Sequence, residues 1–300
     1  VMRFFSIICV YIISFGAASP SDVKVSRSSS STLSHGSSGV NKDKRISSTI
    51  VSTRHGSPNL GTSSTRDLLL NPRGGQQSLK VSTKIAVLTG SLLAFNSGYV
   101  NGICLSGILS SDNTKQASAA VTGAWTNSAL GVASGNMDQF RFNAKCILGY
   151  ILGSTISGSL IPNPVPYEVP LGSGIAFLIG SGMLFSSSRI ALSDGSKGYL
   201  YLAAIANGIQ NSITSALTSN LVRTTHFSGI SSDIGTFLGQ ILRGNNMNLM
   251  KLKVVSVFAL SFWTGGLCSF TAANELASSS LLVSAFLYLV IGATIVFNTR

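Results

Sequence analysis

Polar and ionisable side chains are scarce in this chain, and those inside its apolar stretches are where chemistry has to be sought. Residues 208–235, GIQNSITSALTSNLVRTTHFSGISSDIG, set Gln210, Asn211, Arg223, His226 and Asp233 between long apolar runs. Asp233 falls within an apolar segment, whereas Asp112, Asp138, Glu168, Asp194 and Glu275 fall between segments. A carboxylate at such a depth is costly to bury and is a functional-site candidate by default, suited to proton coupling. Its alternative role is a hydrated helix entry paired with Arg223 or His226. Asn101, Gln210 and Asn211 are amides inside apolar spans, where an unpartnered amide is expensive. Either they hydrogen-bond across helices, at about 0.6 kcal/mol each and at most about 1.7, or they line a polar path for a solute. Thr122 and Ser228 stand before Gly123 and Gly229 at the head of two short segments, where backbone N–H groups are open to an anion or substrate. Asn127 and Asp233 then occupy matching places in those segments.

Catalytic and metal signatures are missing. There is no GxSxG, HExxH, GxxxxGK[ST] or complete GxGxxG, and two of the three histidines, His35 and His55, lie in a Ser-rich N-terminal tract. The expectation is no enzyme, no metal centre and no cofactor. Cys9, Cys104, Cys146 and Cys268 all fall in apolar segments with no CxxC pattern, and read as small buried hydrophobes.

The elements that would position the polar residues follow from composition. Hydrophobic residues make up 45% of the 300 and charged residues 10%, with mean hydropathy +0.40. Soluble domains carry about a quarter charged residues. From Lys84 onward eight apolar segments stand near 84–109, 117–135, 144–161, 169–187, 198–220, 227–243, 252–273 and 279–298. The expected fold is all-α, a polytopic integral membrane bundle of about eight spans, with six as the alternative if 117–135 and 227–243 dip in and return. Short-loop Lys and Arg collect on one side of a membrane. Eight crossings split them 9:2 and six split them 6:5, so the charge pattern favours eight. The net charge of +12 follows the N-terminal tract and this loop pattern, and does not point to nucleic acid.

An internal repeat supports two related halves, about 84–187 and 198–298. Ala94-Phe-Asn-Ser-Gly98-Tyr-Val-Asn101 matches Ala204-Ile-Ala-Asn-Gly208-Ile-Gln-Asn211, and Thr122-Gly123-Ala-Trp-Thr-Asn127 matches Ser228-Gly229-Ile-Ser-Ser-Asp233. With four spans per half, both halves enter from the same side and the repeats are parallel; three per half would give inverted repeats. Gly98, Gly102, Gly149, Gly153 and Gly265-Gly266 read as close-approach positions between helices.

These motifs also carry a resemblance. Gly98-Tyr-Val-Asn101, Val121-Thr-Gly123, Gly208-Ile-Gln-Asn211, Val222-Arg-Thr-Thr225 and Ser228-Gly229-Ile-Ser-Ser-Asp233-Ile-Gly235 are similar to the YoaK-type family of polytopic membrane proteins, over residues 84 to 298. The first half departs from the family pattern at Asn101, where an acid is usual, and at Ala124, where Asn is usual. The resemblance implies a multi-pass membrane protein and no particular reaction.

The first 83 residues read as an address. Met2-Arg3, an apolar run from Phe4 to Phe15 and the small residues Gly16 to Ser19 have the order of a secretory signal over residues 1–20. Residues 21–83 are a basic, Ser-rich tract too polar to fold, either a plain tail or the second part of an algal complex-plastid presequence. Residues 84–300 form the membrane domain. The function expected is a secondary transporter or permease for a small solute, with the lipid bilayer as surrounding and a small solute or proton as partner. The alternative is a non-transporting scaffold or assembly subunit that packs its Gly/Ser faces against another subunit or a second copy.

Overall fold

The computed structural model describes residues 78–193, 196–218 and 224–299. The expected signal peptide, nearly all of the Ser-rich tract, Cys9, Arg223 and Arg300 lie outside them. Eight α-helices follow in order: α1 Thr83–Ser106, α2 Thr122–Ala133, α3 Met137–Leu160, α4 Leu171–Ser193, α5 Gly198–Leu217, α6 Phe227–Leu242, α7 Leu249–Leu276 and α8 Ser280–Asn298. They coincide with the eight apolar segments. Two three-residue strands, β1 Ser78–Lys80 and β2 Glu168–Pro170, pair antiparallel just ahead of α1 and α4. Two helical stretches, Leu171–Ser193 and Asn246–Asn298, are long and apolar enough to cross a membrane.

Local sequence sets the helix ends. Ser82 caps α1 by accepting from the Ile85 N–H, and Gly107 closes it at φ +73°, a left-handed turn that suits glycine. Asn136 caps α3 through the Gln139 N–H. By contrast, neither α2 nor α6 has a side-chain cap at its N-terminus.

Glycines set the closest helix pairs. A Cβ on Gly98 of α1 would land on the Phe262 carbonyl of α7, and one on Gly265 of α7 on the Phe95 carbonyl. In α3 and α5 the same happens between Gly208 and the Tyr150 carbonyl, and between Gly153 and the Ile205 carbonyl. Only glycine lets backbones touch at these crossings, which is how helices gain dispersion contact where solvent is not expelled. The close-approach role expected of Gly98, Gly102, Gly153 and Gly265 holds. Cys104 and Cys146 are buried as expected, but Cys268 is exposed.

Helix directions bear on two expectations. Ser97 of α1 meets Asn207 of α5, while Leu93, one turn earlier, meets Gln210. Beyond the end of α1, Asp112 pairs at 2.9 Å with Lys197, just ahead of α5. Contacts that run in opposite sequence senses make α1 and α5 antiparallel. α3 runs with α5, since Gly149 faces Tyr201 and Gly153 faces Ile205. α7 runs with α1, with Gly98 at Phe262 and Gly102 at Gly266 and Ser269. α4 opposes α8, with Ser181 donating to the Ala285 carbonyl and Ser188 to that of Ser278, each at 2.7 Å. The long helices α1, α3, α4, α5, α7 and α8 therefore alternate in direction. α2 and α6 each connect two long helices at one end of the bundle, so neither traverses it. α2 has 12 residues, about 18 Å of helix, against the roughly 30 Å of a bilayer core. Eight full-length traverses are not what the bundle shows, and α1 and α5, expected to run in the same direction, run oppositely.

Candidate functional site

Two of the amides singled out in the sequence, Asn101 and Asn211, make the same kind of bond. Asn101 in α1 accepts the Ala119 N–H through Oδ1 at 3.0 Å, and Asn211 in α5 accepts the Thr225 N–H at 3.3 Å. Each bond pins the segment that leads into a short helix. Asn207 donates to the Ser118 hydroxyl and Gln210 to the Thr224 hydroxyl, so both segments are held near the middle of the bundle. α2 and α6 thus begin at mid-depth, with their N–H groups turned inward, and end at opposite ends of the bundle. Thr122 and Ser228 stand at those inner ends and are exposed.

Between the pinned segments runs a buried polar seam. Gln210 is fully enclosed and all its hydrogen-bonding capacity is used. Its Nε2 donates to the Leu93 carbonyl and the Thr224 hydroxyl, and its Oε1 accepts from Asn96 and from the Tyr288 hydroxyl. Ser97 donates to Asn207 where α1 and α5 cross. A fully satisfied amide of this kind orients helices rather than offering a free group to a solute. Gln210 and Asn101 are therefore packing and positioning residues in this structure, while Asn211 keeps a free face.

That face looks into a cavity of about 380 Å³ at the inner ends of α2 and α6. Its walls come from the segment Ala119 to Thr122, from α3, from α5 and from the segment entering α6. Tyr150, Ser154, Asn211, Ser212, Ser215 and Thr225 supply most of the polar lining, with Thr122 and His226 at the two helix entries. The Tyr150 and Thr225 hydroxyls bond each other at 2.6 Å, and Ser154 donates to the Gly208 carbonyl at 3.2 Å. The Oδ1 of Asn211 is taken by Thr225, which leaves its Nδ2 hydrogens to donate into the space. Hydroxyls, one amide, one imidazole and uncapped backbone N–H groups make a hydrogen-bonding site, and the described residues hold no group that suggests a metal centre.

The other sequence candidates stand elsewhere. Asp233 lies on the exposed face of α6, away from the cavity, and Asn127 occupies the matching exposed face of α2. No described ion pair includes Asp233, and its expected pairing with Arg223 lies outside the described residues. The polar cavity thus joins Asn211, Thr122 and His226 but does not include Asn101, Gln210 or Asp233. Tyr150, Ser154, Ser212, Ser215 and Thr225 were not singled out in the sequence. The signal was present in the spacing: 208, 211, 212 and 215 share one face of α5, and 150 and 154 share one face of α3.

Outside the bundle interior, Asp112 organises the connection from α1 to α2. It accepts from the Ser110 hydroxyl, from the Thr114 hydroxyl and N–H and from Lys197. These donors, the Ser110 hydroxyl foremost, hold its carboxyl well below the usual range.

No curated protein and no solved structure matches the chain. Residues 89–294, from the first turns of α1 into the last turn of α8, match a single family description, which agrees with the extent of the resemblance read from the motifs. The chain belongs to the DUF1275 family, described as proteins of unknown function.

Proposed function

We propose that this chain is a multi-pass membrane protein that works as a permease or secondary transporter for a small solute bound in the cavity at the inner ends of α2 and α6. That cavity carries the reading: hydrogen-bonding groups gather at mid-depth where two discontinuous helices begin, the arrangement by which many transporters hold substrate. The distribution of polarity supports the membrane. Asn96, Ser97, Asn207 and Gln210 are buried, whereas Leu148, Leu260, Trp263 and Phe270 are each more than 60% exposed, the inverse of a soluble domain.

An inverted repeat is part of the same proposal. The helix pairs α1–α7 and α3–α5 exchange when the halves are exchanged, and so do the Asn101–Ala119 and Asn211–Thr225 bonds. Ser97 and Asn207, matching positions in the two halves, touch each other, as residues beside a two-fold axis in the membrane plane should. On this reading six helices cross and α2 and α6 enter halfway from opposite faces. The 6:5 division of Lys and Arg then applies, and charge sets no strong orientation. We take the route to the membrane to be secretory, from the Met2–Ser19 leader, with the Ser-rich tract as a plastid address.

A second reading is a scaffold or assembly subunit, favoured by the open face of α6. Gly235 and Gly239 have open space beside them and lie on the helix that carries the exposed Ser231, Ser232 and Asp233. A solute screen on purified protein in liposomes separates the two. Accumulation or counterflow of any small solute above protein-free vesicles is expected. A complete panel without flux and without thermal stabilisation of the protein would leave the scaffold.

A further inference from the structure

The permease reading leaves open which of two quasi-equivalent places holds the solute and what that solute is. The contacts supply the correspondence between halves: Gly98 with Gly208 in α1 and α5, Gly265 with Gly153 in α7 and α3, Ala119 with Thr225 in the pinned segments. Carried along each element, it pairs Tyr150 of the cavity with Phe262, Ser154 with Gly266, and Ser215 with Leu105. Ser212 pairs with Gly102, Thr225 with Ala119 and His226 with Ala120. On α3 and α5 these positions are polar and on α7 and α1 they are apolar or side-chain-free, while Ala119 and Ala120 line the same cavity as Thr225 and His226. The amide pair Asn211 and Asn101 and the hydroxyl pair Thr122 and Ser228 are polar in both.

The second place is also filled. The Phe262 ring packs on Phe227 with centroids 3.8 Å apart, and the space beside Gly102 is taken by Ser269. The α1–α7 side has the matching geometry without the row of hydroxyls.

We infer that the protein holds a single, one-sided binding site, on the α3–α5 side, and that its ligand class is a small neutral polyhydroxylated solute such as a polyol. This rests on the permease reading and specifies it. Serine, threonine and tyrosine hydroxyls each donate or accept, so they match a ligand whose own hydroxyls do both. Ser212, Ser215 and the Nδ2 of Asn211 remain to bond such a ligand, and Tyr150 and Thr225, bonded to each other, retain lone pairs and one hydroxyl proton between them. The described lining carries no carboxylate, ammonium or guanidinium group, and its one imidazole, His226, stands exposed at the entry to α6. An ion drawn into a low-dielectric interior needs a countercharge, whereas a neutral polyol needs only its hydrogen bonds replaced.

The test uses the purified full chain in liposomes, with stopped-flow light scattering for glycerol, erythritol and sorbitol and a potential-sensitive dye for potassium chloride and potassium acetate. Polyol permeation that is electrically silent is expected. Ser215→Leu puts into the cavity the residue its counterpart already carries, and should cut polyol flux at least tenfold. Leu105→Ser, on the filled side, should leave flux within about twofold. Size-exclusion behaviour and melting temperature show whether Ser215→Leu is folded; if it is not, Ser212→Gly and Ser154→Gly, likewise taken from the counterpart positions, replace it. Ion flux that Ser215→Leu blocks would overturn the neutral class while leaving a permease. Polyol flux indifferent to all three cavity variants would overturn the site. Vesicles that pass none of these solutes would remove the polyol assignment, and the wider solute screen then decides whether the permease reading falls too.

Discussion

Gln210→Met removes an amide from the centre of the bundle and replaces it with an apolar side chain of similar length. Gln210 makes four side-chain hydrogen bonds, to Leu93, Thr224, Asn96 and Tyr288, and is completely enclosed. Hydrogen bonds between helices in a membrane protein average about 0.6 kcal/mol, so the four lost bonds amount to roughly 2.4 kcal/mol. The substitution also takes away the acceptor shared by the Asn96 amide and the Tyr288 hydroxyl, leaving them each other and, for Tyr288, a long bond to the Ala206 carbonyl at 3.4 Å. A buried polar group left short of a partner costs about 1 kcal/mol or more. The expected loss is therefore about 3 to 4 kcal/mol, read as a shift in the equilibrium unfolding curve of the purified protein in mixed micelles on titration with sodium dodecyl sulfate. Asn127→Met, on the exposed face of α2, should change stability by less than about 0.5 kcal/mol. A Gln210→Met loss no larger than that of Asn127→Met would refute the claim that this seam holds α1, α5 and α8 together.

Four further outcomes follow from the fold and the site. In a cysteine-free background, cysteines at 112 and 197 should be joined by a short bifunctional thiol reagent, because Asp112 meets Lys197; reagent accessibility of the two from opposite membrane faces would restore eight crossings. Gly208→Ile should drive a side chain into the Tyr150 carbonyl and abolish the monodisperse protein, whereas Gly239→Ile, with open space around it, should elute as the wild type. Asp112 has a depressed carboxyl, so its contribution is present above the ordinary carboxylate range, about pH 4, and is lost as pH falls through the lower folded value. Melting temperature below about pH 4 should then fall more steeply for the wild type than for Asp112→Asn, and parallel curves would contradict this. Asp233→Asn should leave solute flux unchanged, since Asp233 lies outside the cavity; a lost pH-driven component would return the residue to the mechanism.

Much of the fold was legible because it depends on local properties. Apolar runs broken by polar and glycine-containing connections fix where helices form, and all eight segments read from hydropathy fall on helices, with ends that differ by up to seven residues (144 read, Met137 observed). Gly98 and Gly153 could be read as close-contact positions because absence of a side chain has one main use in an apolar helix. The matched pairs Asn101–Asn211 and Thr122–Ser228 could be found because similar short motifs recur in the same order, four residues closer together the second time. Direction could not be read this way. A helix of 12 or 16 residues has the same composition whether it traverses or turns back, and counting Lys and Arg by face presupposes the number of crossings it is meant to decide. Only the tertiary contacts Ser97–Asn207 and Asp112–Lys197 settle that α1 and α5 oppose each other. The site divided in the same way. The amide types of Asn101, Gln210 and Asn211 announced hydrogen bonding, but their partners lie up to 117 positions away, and those partners alone decide that Gln210 is spent in packing. Serines and a tyrosine on α3 and α5 looked ordinary in sequence; they became a cavity because Gly153 and Gly208 bring the two backbones together and set Tyr150, Ser154 and Ser215 around one space.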